Sequence, residues 1–204
     1  MATTPIETET ELSAVNSILG AIGQSPVNSL DYENPEVSFI YNILRDCNVD
    51  IQNEGWHFNT EHHVEYKPDS VTKKIPIPNN VLRIDVTKGW SDYTRNVVKR
   101  NGVLYNKRTH SDEWDTDLLL DVVTLYEFTD IPSVFQRYII LKASGRAATQ
   151  LVNNAQLVQL LAAQEIQARA ACIEYECNQS NTNMLGIPEG SNYQTYQPYT
   201  ALRR

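Results

Sequence analysis

Four carboxylates fall within the seven residues SDEWDTD, as Asp112, Glu113, Asp115 and Asp117. A pair of carboxyl groups flanking a glycosidic bond, one protonated and one ionised, hydrolyses it, so this cluster is the best catalytic candidate in the chain. Aspartate is also favoured in turns, where its side chain accepts backbone hydrogen bonds. The stretch lies between two strand-like runs, so a turn is the first reading. A glycan hydrolase using Asp112–Asp117 is the alternative. A calcium loop fits no better, because the glycine and closing glutamate of an EF-hand are both missing.

His57, His62 and His63 cluster near Glu61 and Glu65. Neighbouring residues of a strand point to opposite faces, so His62 and His63 are not expected to share a metal. No HExxH or CxxC pair is present, and no metal site is expected. Cys47, Cys172 and Cys177 make an odd number of cysteines on helical segments. Cys172 and Cys177 stand about 140° apart around a helix. Buried free thiols are the expectation for all three. There is no GxSxG elbow and no phosphate-cradling glycine loop. Trp56, Trp90 and Trp114 have no basic track beside them and are expected in the core or an interface. Lys99, Arg100, Lys107 and Arg108 form one local basic patch on a hairpin rim. No catalytic residue, metal or cofactor is expected.

The bulk properties agree. A chain of 204 residues with 41% hydrophobic and 21% charged residues suits one globular unit, with or without an insertion. No apolar run approaches the roughly 20 residues that cross a bilayer, and no membrane insertion is expected. The acidic start, MATTPIETETE, lacks a basic n-region and an apolar h-region, so it is not read as a signal peptide. A net charge of −8 argues against a protein that grips nucleic acid through its phosphates. It is compatible with an acidic conduit that lets a polyanion slide.

The elements that position these residues run helix, helix, β-rich middle, helix, helix, polar tail. In ELSAVNSILGAIG, Leu12, Val15, Ile18, Leu19 and Ile22 make an apolar stripe at helical spacing. Thr8 with Glu11 is the expected capping box, and Gly23 with Pro26 the expected stop. Asn34-Pro35 starts a second helix carrying Ile40, Leu44, Cys47 and Ile51, which Gly55 closes. Strands are expected at 63–66, 74–78, 81–87, 96–100, 103–106 and 118–128, with Asn101-Gly102 as a hairpin turn. Helix three begins at Asp130-Ile131-Pro132, with Phe135, Tyr138, Ile139 and Lys142 along one side. Asn153 or Asn154 caps helix four, whose inward stripe is expected to be Leu157, Leu160, Leu161, Gln164, Ala168, Ala171, Cys172 and Tyr175.

Ala162, Ala163 and Ala170 on the back of helix four permit close approach of another helix, although helix propensity alone also accounts for them. After Asn178 the composition turns to Asn, Gln, Ser, Thr, Tyr and Gly. Tyr193, Tyr196 and Tyr199 recur every three residues and Arg203-Arg204 follows. Tyrosine and arginine are favoured at interfaces, so an arm that orders on assembly is one reading and a loose terminus the other. Interface candidates are therefore Ala163, Ala170, Tyr193, Tyr196, Tyr199, Arg203 and Arg204. The fold class is α+β: a four-helix bundle-like core with an inserted small antiparallel β domain and an extended C-terminal tail. Expected boundaries are 1–55 and 130–178 for the helical pairs, 56–129 for the β insertion and 179–204 for the tail.

The wording of several segments resembles the tail tubular protein A family of short-tailed bacteriophages. They are ELSAVNSILGAIGQSPVNSL at 11–30, IQNEGWHFN at 51–59, YNKRTHSDEWD at 105–115, DIPSVFQRYIILKASGRAATQ at 130–150 and EIQARAACIEYE at 165–176. Their order and spacing are retained; residues 64–100 and those after 182 match poorly. The resemblance implies a virion protein, made in the host cytoplasm, that forms a ring, a dodecamer, as head-to-tail adaptor. Its implied partners are its own copies, the portal protein, the tail nozzle (tubular protein B) and the tail fibres. Genomic double-stranded DNA would pass through the lumen without specific binding. No catalytic residue carries over.

Overall fold

The computed structural model describes residues 10–87, 96–152 and 154–180. Four helices, α1 (Glu11–Ala21), α2 (Pro35–Gln52), α3 (Ser133–Ala147) and α4 (Ala155–Ser180), flank five strands. The strands are β1 (Thr60–Tyr66), β2 (Val81–Val86), β3 (Val97–Arg100), β4 (Val103–Asn106) and β5 (Leu118–Thr124). The chain is α+β.

Helix starts follow local chemistry, with two corrections. The box at α1 is made by Thr10 and Ser13, not Thr8 and Glu11: the Ser13 N–H donates to Thr10 Oγ1 and the Thr10 N–H to Ser13 Oγ. A serine hydroxyl thus does the work expected of the glutamate. Asn34 caps α2 through its side chain with Pro35 at the first helical position, as the sequence suggests. Asp130 instead ends a 3-10 turn, and Pro132 precedes α3. At α4 the cap is Asn154, whose Oδ1 accepts from the N–H groups of Gln156 and Leu157. Helix α4 runs two residues past the expected end at 178.

Helix α3 is the hub, packed against α1, α2 and α4. Phe135, fully buried, meets Trp56 edge-on at 4.9 Å and Tyr175 of α4 at 5.9 Å, a favoured aromatic geometry. Val15, Ile18 and Leu19 of α1 and Ile40, Leu44, Cys47 and Ile51 of α2 complete this core. A second, separate core lies in the β region around Ile75, Ile77, Leu104, Trp114, Leu118 and Leu120.

The strands form an antiparallel sheet in the order β1-β5-β2 and a β3-β4 hairpin. Asn101 and Gly102 turn that hairpin with φ of +52° and +76°, the left-handed pair that an Asn-Gly turn supplies. The strand expected at 74–78 is instead a proline-punctuated segment that contacts β4 by one bridge, Pro76 with Val103. Proline lacks the N–H that a ladder needs, which is why no strand develops there. The run expected as 118–128 leaves the sheet after Thr124, where Tyr126 is captured by a side chain of α2.

That capture ties the two chain crossings between helices and strands. The fully buried Gln52 accepts the Tyr126 N–H (2.8 Å) and donates to the Tyr126 carbonyl (2.9 Å) and to Asn48 Oδ1 (2.7 Å). Asn59 donates to the carbonyls of Gln52 and Thr124 and accepts the Trp56 N–H. Gly55 makes the approach possible: its φ is +79°, and a Cβ there would lie 2.6 Å from Arg83 Nη2 and 3.3 Å from Val123.

Candidate functional site

The acidic cluster is dispersed into ion pairs. Asp112 binds Lys74 at 2.6 Å, Asp115 binds Lys73 at 2.7 Å, and Asp117 lies 3.8 Å from Lys67. The lysine hydrogen bonds hold the Asp112 and Asp115 carboxyls below the usual carboxylate value. A general acid in glycoside hydrolysis needs the opposite shift, produced by an apolar wall or a second carboxylate. The geometry here is that of a turn pinned by lysines, the first reading of the sequence.

His62 and His63 lie at a bulge that the sequence reading did not include. A bulge between Glu61 and Val64 gives His63 a φ of +59° and brings both neighbours to one carboxylate. The His63 N–H donates to Asp121 Oδ1 at 3.1 Å, His62 Nδ1 lies 3.4 Å from the same oxygen, and Thr87 Oγ1 donates to it at 2.7 Å. The extra residue interrupts the β1–β5 register between Glu61 and Val64 and turns the His63 N–H toward Asp121. His57 sits apart, its N–H on the Glu176 carboxylate. Among the described residues no group of three or more His, Cys, Asp or Glu side chains is placed to hold a metal ion.

Trp56 and Trp114 are core residues, their indole N–H groups donating to the carbonyls of Ile51 and Leu104. Trp90 lies outside the described residues. In the basic patch, Lys99 donates to the Pro78 carbonyl and Arg100 stacks on Tyr105 at 4.1 Å. Both serve the hairpin itself. Cys47 and Cys172 are buried, and burial pushes each thiol up to about 11. Cys177, expected inside, is exposed.

Exposed apolar side chains occur along the described chain, among them Leu160, Ile166 and Ile173 of α4. The inward side of α4 is narrower than the eight residues expected: Leu161, Ala168 and Cys172 are buried, Leu157 and Tyr175 half-buried, and Leu160, Gln164 and Ala171 exposed. Arg169 locks this side down, with two bonds to the Glu54 carboxylate (3.1 and 2.9 Å) and one to the Tyr138 hydroxyl (2.9 Å). The opposite side carries Ala163 and Ala170 in the open, together with Ile166 (71% exposed) and Ile173 (48% exposed). The two isoleucines escaped the sequence reading, which followed the inward stripe. The signal was present as the 3-4-3 spacing of residues 163, 166, 170 and 173. Tyr193, Tyr196, Tyr199, Arg203 and Arg204 lie outside the described residues.

Beside α4 an open groove of about 830 Å³ runs between α1, α3 and α4, lined by Val134, Arg137, Ile140, Leu141, Gln164 and Ala168 among others. No helix among the described residues is long and apolar enough to cross a membrane.

The fold is mixed α+β, its Asp112, Asp115 and Asp117 carboxylates lie against lysines, and α4 leaves Leu160, Ile166 and Ile173 exposed. The family comparison says what kind of protein carries these features. The model of the family described as "Tail tubular protein" matches residues 12–182, and the chain belongs to that family. It is a structural protein of the bacteriophage tail and thus a virion component that assembles with other tail proteins. No match is found among curated proteins.

Proposed function

We propose that this chain is the head-to-tail adaptor of a short-tailed phage. Twelve copies form a ring that binds the portal above, holds the tubular nozzle protein below and helps seat the tail fibres. The genome leaves through its centre during ejection. The role is structural and uses no catalytic residue. The observation that carries the reading is the family match over residues 12–182, which spans the helical elements and the β region together. The exposed apolar side of α4 supports it, because a helix that buries one face on α3 and leaves Ile166 and Ile173 open has surface reserved for a neighbour. The net charge of −8 suits a lumen that must release DNA rather than hold it.

Within this reading residues 1–55 and 130–180 make the ring body, 56–129 form an inserted domain that points toward the nozzle or fibres, and 181–204 form an arm. Tyr193, Tyr196, Tyr199, Arg203 and Arg204 of the arm dock onto the portal. The deciding experiment is electron microscopy of the purified chain mixed with its portal protein, since adaptors of this kind can remain monomeric until they meet it. A ring seated on the portal is expected. A portal that stays bare at saturating concentrations rejects the adaptor. Deleting Tyr193–Arg204 is expected to spare solubility and weaken portal binding, and unchanged binding rejects the arm.

A further inference from the structure

The side chains at 163, 166, 170 and 173 repeat Ala-Ile-Ala-Ile at alternating steps of three and four, the 3.5-residue period that keeps one line of a helix facing another helix. Alanine lets a partner backbone approach and isoleucine supplies the knob. The line faces away from α3, and all four residues are exposed among the described residues. Glu174 sits at its edge, directly after Ile173, exposed, and makes no ion pair among the described residues.

The groove between α1, α3 and α4 has the complementary character. Val134, Ile140, Leu141 and Ala168 give it an apolar floor, and Arg137 is an exposed cation that makes no ion pair among the described residues. In a chain of net charge −8, whose other arginines on α3 and α4 are held by Asp50 and Glu54, an unpaired guanidinium beside the groove's apolar residues suits a carboxylate. The groove flanks α4 along Gln164, Gln167 and Ala171, whereas the Ala-Ile line occupies a different side of the same helix. One chain thus offers both ridge and groove and cannot join them itself.

We propose that the Ala163-Ile166-Ala170-Ile173 ridge of one copy lies in the α1–α3–α4 groove of a second copy, with Glu174 of the first paired to Arg137 of the second. The contact is head-to-tail: every added copy leaves one ridge and one groove free, so the series closes only as a ring or continues as a filament. This assignment rests on the ring reading above and specifies its subunit contact.

Charge reversal tests it, read as ring formation by the full chain with portal, by light scattering and electron microscopy. Both residues are exposed, so Arg137→Glu and Glu174→Arg are expected to keep native circular dichroism. Each is expected to weaken assembly by roughly 10- to 100-fold through like-charge contact. The double variant, carrying both reversals in one chain, is expected to regain most of the loss. Ala170→Glu places a charge within the ridge and is expected to block assembly without rescue. Normal rings from both single reversals, or a double variant no better than either, overturn this contact and leave the adaptor standing. Absence of any ring from the unmodified chain with portal overturns both.

Discussion

Cys47 and Cys172 carry their thiols in dry surroundings that raise them to about 11, while Cys177 stands exposed within the last turn of the helix it shares with Cys172. Thiolate is the reactive form, so at pH 8 the two buried sulfurs are both shielded and protonated. The unassembled native chain is therefore expected to give one fast reaction with a thiol-disulfide dye, removed by Cys177→Ser, and three only after denaturation. Two or more fast thiols in the native chain would contradict the packing of α2 and α4. Gln52 is the second residue whose chemistry decides something. Replacing it with Met keeps its approximate volume but strands the Tyr126 N–H and Asn48 Oδ1, both of which it satisfies. Unpaired buried polar groups cost about 1–3 kcal/mol each, so Gln52→Met is expected to lose about 2–4 kcal/mol, read as a lower urea midpoint at unchanged slope. A loss under about 1 kcal/mol would mean that water replaces the side chain.

At the scale of elements, the β1 bulge closes on a β5 carboxylate whose titration links stability to pH. That carboxylate is Asp121, where burial alone would raise the carboxyl, but the Thr87 hydroxyl, the His63 N–H and His62 together hold it below its ordinary value. A carboxyl depressed by folding stabilises the protein fully above its ordinary value and loses that contribution as pH falls through the folded value. The unmodified chain is thus expected to lose stability as pH drops below about 4, and Asp121→Asn to flatten that acid limb. Parallel acid profiles for the two proteins would remove Asp121 from the account. The bulge also shows what periodicity in a sequence conveys and what it does not. Starts and turns were legible wherever one residue type has one cheap conformation: Asn34-Pro35 for α2, Asn101-Gly102 for the hairpin. The Leu161, Ala168 and Cys172 side of α4 was legible because burial follows the helical period. Features that depend on distant partners were not. His63 adopts a positive φ because Asp121 waits 58 residues away, and Leu118–Thr124 stops short because Gln52 takes Tyr126 from across the fold. The Ala-Ile ridge was written in the chain but masked, since a helix with two apolar lines yields its inward one first.

At the scale of the whole molecule, the two hydrophobic cores share no residue, and the chain passes between them only where the Gln52–Asn59–Tyr126 hydrogen bonds hold both crossings. Such a layout lets the β region loosen without opening the helices, because stability within one chain is divided among locally cooperative units. Leu104 tests this from the inside of the smaller core, where it is fully buried under Trp114, whose indole N–H donates to its carbonyl at 3.1 Å. Truncation to alanine removes three carbons and leaves a hole, at about 2–5 kcal/mol. If the cores are separate units, Leu104→Ala is expected to speed amide exchange in β3, β4 and β2 while α1 and α3 keep their protection. An equal acceleration in α3 would show one cooperative unit spanning both cores and would remove the basis for treating 56–129 as an insertion. For an adaptor the distinction has a consequence. In the proposed adaptor, a helical body that does not register strain in its β region would keep its subunit contacts while that region adjusts to what is attached. Ring formation by Leu104→Ala is accordingly expected to match the unmodified chain even where its β amides exchange freely.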